Sequence, residues 1–167
     1  WLLQLVAGYP IGTTLEAMRY HHLRHHRSSG MAEDPYFKEG ASTDAALRTL
    51  LRLRGLLLVP VWIVRGDFGS AALVLPALRP AYAKFFLQDR SGADAGASAE
   101  VTHCLREEPK QAAFFTAIFV AAWHFPVAIG LYYFVPLVLA GALNVNRVII
   151  EHIHVRCADR RPATVVA

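Results

Sequence analysis

The dominant pattern along the chain is a run without charge. Residues 111–146 carry no acidic or basic side chain, thirty-six positions in all, where about 20 apolar residues cross a typical hydrocarbon core. That is too long for one crossing, and the pattern predicts a transmembrane helical hairpin turning near Pro126 and Gly130. Basic residues flank the run on both sides, Arg106 and Lys110 before it and Arg147, Arg156 and Arg160 after it. Positive flanks stay cytoplasmic, so both ends of the hairpin are expected there. Residues 1–18 are also apolar and read as the tail of a membrane helix whose start lies upstream, running directly into the basic, histidine-rich segment MRYHHLRHHR. Gly30, Pro35 and Gly40 then stop regular structure. Residues 45–64 read as a helix, basic in its first half (Arg48, Arg52, Arg54) and apolar in its second, which suits a membrane surface. Residues 68–88 are long enough to span, but Pro76, Arg79, Pro80 and Lys84 interrupt them, so an interfacial position is expected. Residues 89–110 are small and polar and read as a surface loop. The predicted architecture is one all-α domain over residues 1–167, an integral-membrane helical bundle with a transmembrane hairpin at 111–146 and interfacial helices.

Composition agrees. Apolar residues make up 54% and charged residues 18%, against about 45–50% and roughly 25% in soluble domains. The net charge of +4 is gathered in blocks (Arg19 to Arg27, Arg48 to Arg54, Arg156 to Arg161) that look juxtamembrane. They do not line one groove-reading helix, and nucleic acid is not an expected partner. Cys104 and Cys157 are the only cysteines. They lie outside any CxxC spacing, which argues against a disulfide framework and a thiolate zinc site and predicts reduced thiols. The opening WLLQLVAGYPIG has neither the basic start nor the small-residue cleavage site of a signal peptide.

The candidate chemistry lies in the histidines. Four of the eight fall within six residues: His21, His22, His25 and His26. At about 100° per residue, His22, His25 and His26 occupy an arc of about 100°, with His21 about 40° beyond His25. Neutral imidazole is the commonest metal ligand, whereas clustered protonated rings would repel one another and the neighbouring arginines. A solvated basic surface or a lipid-headgroup patch is the competing reading. A second group, NRVIIEHIHV, follows the uncharged run and contains Glu151, His152 and His154. Arg147 and Glu151 are spaced for a pair on one helical face, and Glu151 could instead orient an imidazole. His103 reads as an ordinary exposed histidine, His124 as a residue lining a substrate path or packed in the hairpin, and Trp123, Tyr132 and Tyr133 as packing or interface anchors.

Arg19–x–x–His22–x–x–His25–His26, followed eight residues later by Asp34–Pro35, resembles the second histidine box and trailing DP element of membrane fatty-acid desaturases and related hydroxylases. Arg147–x–x–x–Glu151–His152 is similar to the element that bacterial members carry after their final helical hairpin. The resemblance implies an oxidoreductase using two iron ions and O2, with electrons from a ferredoxin or cytochrome b5-type donor, acting on a membrane lipid or acyl substrate. It implies His22, His25, His26 and His152 as iron ligands, with His21, Asp34 and Glu151 supporting them. His154 has no counterpart. Val148 stands where some relatives carry asparagine. The family's HxxxH and HxxHH boxes are absent from these residues, so the reading expects a fragment that cannot assemble the centre alone, with the histidine clusters facing the cytoplasm. A carotenoid or alkane hydroxylase or ketolase of the same di-iron class is the close alternative. A non-catalytic membrane protein that binds anionic lipid or metal through the His/Arg cluster is the distant one.

Overall fold

The computed structural model describes residues 2–29, 31, 33–36, 43–89 and 96–152, with His152 described through its backbone alone. Gly30, Gly40, His154, Cys157 and the basic block from Arg156 to Arg161 lie outside the described residues. Among the described residues every regular element is helical.

The N-terminal segment does not run straight into the histidine helix. A π-helical turn at Gln4–Gly8 and a 3-10 turn at Tyr9–Ile11 end at Gly12, whose φ of 79° lies in the left-handed region open to glycine. Helix α1, Leu15–Ser28, then starts afresh: the Thr14 hydroxyl accepts the Ala17 N–H at 3.2 Å, and the Gln4 side chain accepts the Leu15 N–H at 2.8 Å. Two of the four orphan donors of a helix start are thereby satisfied.

Helix α2, Ala45–Arg54, passes through one 3-10 turn at Gly55–Leu57 into α3, Leu58–Val74. Together they form a 30-residue helix, Ala45–Val74, long and apolar enough to cross a membrane. This corrects the division of the segment into a surface helix and a later interfacial stretch. Arg65, which breaks the apolar pattern, is turned inward and paired. The short helix α4, Arg79–Phe85, follows.

Helix α5, Ala99–His124, corrects the loop expected at 89–110. Ser98 caps it, accepting the Val101 N–H at 3.1 Å. Val101, Cys104, Leu105, Glu108, Gln111 and Phe115 are its buried residues, the i, i+3, i+4, i+7 stripe of a helix packed along one side. The chain breaks at Phe125 (φ −131°, ψ 58°), and Pro126 opens α6, Pro126–Ile129, at a position where its missing N–H costs nothing. A π-helical turn at Gly130–Phe134 leads into α7, Val135–His152. Phe134 stacks on Phe119 with ring centroids 5.8 Å apart, so the chain folds back across the break. Pro126–Glu151 is the second stretch long and apolar enough to span, and the whole is an all-α membrane bundle.

Small residues bring the helices together. A Cβ at Gly69 would lie 2.5 Å from Glu108 Cγ, and one at Gly66 would lie 3.2 Å from the Ala112 nitrogen. These contacts make α3 and α5 antiparallel neighbours. Ala17 and Tyr20 of α1 pack with Ala72, Tyr82, Leu87, Val101, Cys104 and Leu105 in one core cluster, which fixes the histidine helix against α3, α4 and α5.

Candidate metal centre

Helix α1 has two working sides. On the inner side the Tyr20 hydroxyl donates to buried Asp89, and Arg24 Nη2 lies 2.8 Å from the other Asp89 oxygen. Asp89 reaches them because Gln88 takes φ of 51°, and the Asp89 N–H closes on the Ala83 carbonyl at 2.9 Å. The outer side carries the imidazoles.

His22 Nε2 and His26 Nε2 approach to 2.9 Å with their rings edge to face, an arrangement set by their spacing of one helical turn. Partial burial first, and then the charges of His26 and His25, hold the His22 imidazole below the usual histidine value and favour its neutral form. His25 is anchored differently. Its Nδ1 lies 2.9 Å from Asp34 Oδ1, and the same oxygen accepts the Tyr36 N–H at 2.8 Å. Asp34 is 1% exposed. A carboxylate can only accept, so Nδ1 carries the proton and Nε2 of the neutral ring keeps its lone pair. The Tyr36 ring packs on His25 at 4.8 Å between centroids and lies nearly parallel to His21 at 6.1 Å.

The donor set fits a metal in part. Two imidazole nitrogens bound at right angles to one ion at about 2.0–2.1 Å would stand about 3 Å apart, close to the separation of His22 and His26. His25 has the protonated Nδ1 and carboxylate partner usual in metal-bound histidines. Its ring centroid is 5.6 Å from that of His26. Among the described residues no three His, Cys, Asp or Glu side chains gather as a complete set of ligands.

In the second group, Arg147 Nη1 and Glu151 Oε1 are 3.8 Å apart and well exposed, a weak helix-surface pair. His152 closes α7, but its side chain is outside the described residues, as is all of His154. Tyr36, packed on His25, feels the charge of Arg147. Burial and Asp34 raise the pKa of its phenol, while the Arg147 guanidinium acts in the opposite sense. The last turns of α7 therefore lie within electrostatic reach of the loop that holds His25.

Of the remaining candidates, exposed His103 sits 3.4 Å from Glu16, and His124 ends α5 at the exposed turn. Trp123 and Tyr132 are exposed, whereas the Tyr133 hydroxyl donates to the Pro10 carbonyl at 2.8 Å. Tyr36 and Asp89 were not picked out from the sequence. Tyr36 follows the DP element directly, a signal available in hindsight. Asp89 has none, because it meets Tyr20 only through the tertiary fold.

A family model described as fatty acid desaturase matches residues 1–167. No curated protein and no solved structure gives a match. The match runs through the histidine helix, both candidate spans and the Arg147 to His152 turn alike, and the chain belongs to the fatty acid desaturase family.

Proposed function

We propose that the chain contributes His22, His25, His26 and His152 to a di-iron centre that desaturates the acyl chain of a membrane lipid with O2. The observation that carries this reading is the Asp34 to His25 hydrogen bond beside the converging His22 and His26 nitrogens: one buried carboxylate sets a ring tautomer suited to holding a metal. When bound, the irons supply the activation of O2 that removal of hydrogen from an unactivated C–H bond requires. The protein's own part is positional. Asp34 holds the proton at His25 Nδ1, Tyr36 packs against that ring and His21, and the lowered pKa of His22 favours the neutral ring that can ligate. Glu151 stands one residue before His152, where it can accept from a ligating imidazole.

Taking one hydrogen from each of two adjacent carbons and reducing O2 to two waters consumes two further electrons and two protons, so a ferredoxin or cytochrome b5-type donor is part of the proposal. Four ligands do not complete two irons, and in this reading further donors complete the centre on the cytoplasmic side. The test is iron per chain in the purified full-length protein, comparing wild type with His25→Ala and His26→Ala. Both substitutions are expected to lower it sharply, and unchanged iron content rejects the ligand assignment.

A further inference from the structure

The imidazoles of α1 can serve a metal shared with another element only if the helix presents them at a fixed angle. An α-helix with its side chains is about 10–12 Å across, so an imidazole stands about 5–6 Å from the axis and a roll of about 10° carries it about 1 Å. Metal–ligand distances tolerate about 0.2 Å. The Asp34 bond to His25 does not meet that demand alone. The two residues are nine apart on one stretch of chain, so the bond orients a ring on α1 without relating α1 to the rest of the bundle.

Asp89 reaches α1 from a different element. Tyr20 and Arg24 stand one turn apart on the helix, and each holds one oxygen of this carboxylate: the Tyr20 hydroxyl donates to Oδ2, and Arg24 Nη2 lies 2.8 Å from Oδ1. Arg24 Nη1 also donates to the Tyr20 oxygen at 3.2 Å, which closes a triangle. Burial first, and then the Asp89 carboxylate, raise the pKa of the Tyr20 phenol and keep it a donor. Two directional contacts one turn apart resist both sliding and rolling, whereas the apolar packing of Ala17 beside them has no direction of its own. The carboxylate is itself held. Its side chain is 1% exposed, its backbone N–H is bonded to the Ala83 carbonyl at the end of α4, and Leu87 just before it is buried. Tyr82 then ties α4 to Glu108 of α5. His22 and His26 lie about 200° around the helix from Tyr20 and Arg24 respectively, so a rotation allowed at the inner contacts appears in full at the imidazoles.

We infer that Asp89 is a positioning residue: through Tyr20 and Arg24 it fixes the roll of α1 and hence the direction in which His22, His25 and His26 face. The consequence for metal binding rests on the proposed function; the fixed roll does not.

The test places nitroxide labels at Leu23→Cys and Ile150→Cys, exposed positions on α1 and α7, in the full-length protein with Cys157→Ser, Cys104 being buried. In metal-free protein Asp89→Asn should broaden the distribution of distances between the labels with circular dichroism unchanged, and Asp34→Asn should leave it as in wild type. Tyr20→Phe spares the ion pair and should broaden the distribution less; it decides the matter if Asp89→Asn does not fold. In unlabelled protein, Asp89→Asn should weaken Co(II) binding about tenfold and alter the visible absorption bands of the bound ion, which report coordination geometry and which a loss of stability alone leaves unchanged. A wild-type distance distribution in folded Asp89→Asn, or in Tyr20→Phe if Asp89→Asn does not fold, overturns the inference. So does a broadened distribution with wild-type Co(II) affinity and bands. If His25→Ala and His26→Ala both keep wild-type iron, the metal reading falls, and the label distances still decide the role of Asp89.

Discussion

Asp34 is the residue on which the geometry of the histidine face turns, because one oxygen serves both the His25 ring and the Tyr36 backbone. Replacing such a partner of a metal-bound histidine typically lowers metal affinity about 10–100-fold. Asp34→Ala is expected to fall in that range by chelator competition, with Asp34→Asn milder because its carbonyl still accepts from Nδ1. Cys104 shows the opposite use of burial. It is 2% exposed, and desolvation followed by the Glu108 charge pushes its thiol up to about 12. The thiolate is the reactive form, so Cys104 should resist alkylation at pH 8 in the folded protein and react once denaturant opens it, as site-resolved mass spectrometry would read. The folded state keeps a proton that the unfolded chain gives up near 9, so this thiol removes stability as pH rises from 9 towards 12. The spacing of His22, His25, His26 and Asp34 made them legible in the sequence, since each pair lies within a helical turn or a short loop. Asp89, sixty-nine positions from the Tyr20 hydroxyl it accepts, could not be reached by any local rule.

Between elements, the α3–α5 seam is where a single methyl should matter most. A Cβ at Gly69 would meet Glu108 Cγ at 2.5 Å, Glu108 Cβ at 2.8 Å and Tyr82 Cε2 at 2.9 Å. Neither neighbour can yield freely, because the Tyr82 hydroxyl donates to Glu108 at 2.6 Å and Glu108 also holds Arg65. Gly69→Ala should cost about 1–3 kcal/mol, the usual range for overpacking, as a lower thermal midpoint in detergent. Gly130→Ala is the control: nothing lies within 4 Å of its Cβ position, and it should be neutral or slightly stabilising, by at most about 1 kcal/mol. The same seam explains which helices were legible. The uncharged run and the histidine segment announced themselves by hydropathy and spacing. The first three turns of α5 did not, because residues 89–110 are small and polar and the buried stripe there includes the charged Glu108. The α2–α3 helix was cut short for the same reason at Arg65. In both places a charge that hydropathy assigns to water is turned inward to a partner on the facing helix.

Across the whole molecule those inward-facing groups form one hub. Arg65 Nε lies 3.1 Å from Glu108 Oε1, Nη1 donates to Thr13 Oγ1 at 3.1 Å, and Nη2 donates to Gln111 Oε1 at 2.8 Å. Gln111 Nε2 in turn donates to the Gly12 and Trp62 carbonyls at 2.8 and 2.9 Å. Arg65 and Glu108 are 3% and 0% exposed. The hub thus ties α3, α4 and α5 to the Gly12–Thr14 turn from which the histidine helix starts. Removing one partner of a buried pair leaves the other charge stranded and costs about 3–5 kcal/mol, whereas replacing both with apolar side chains is often neutral or stabilising. Glu108→Ala should therefore unfold far more readily than wild type, and Arg65→Met combined with Glu108→Leu should recover most of the loss. Stability and site should then part company. The apolar pair restores packing but offers Thr13 no donor, so the turn before α1 loses a tether. The double variant should melt near the wild-type temperature yet bind iron more weakly. Wild-type iron affinity in that variant would mean the Thr14 cap and the Asp89 contacts alone set the position of the histidine helix.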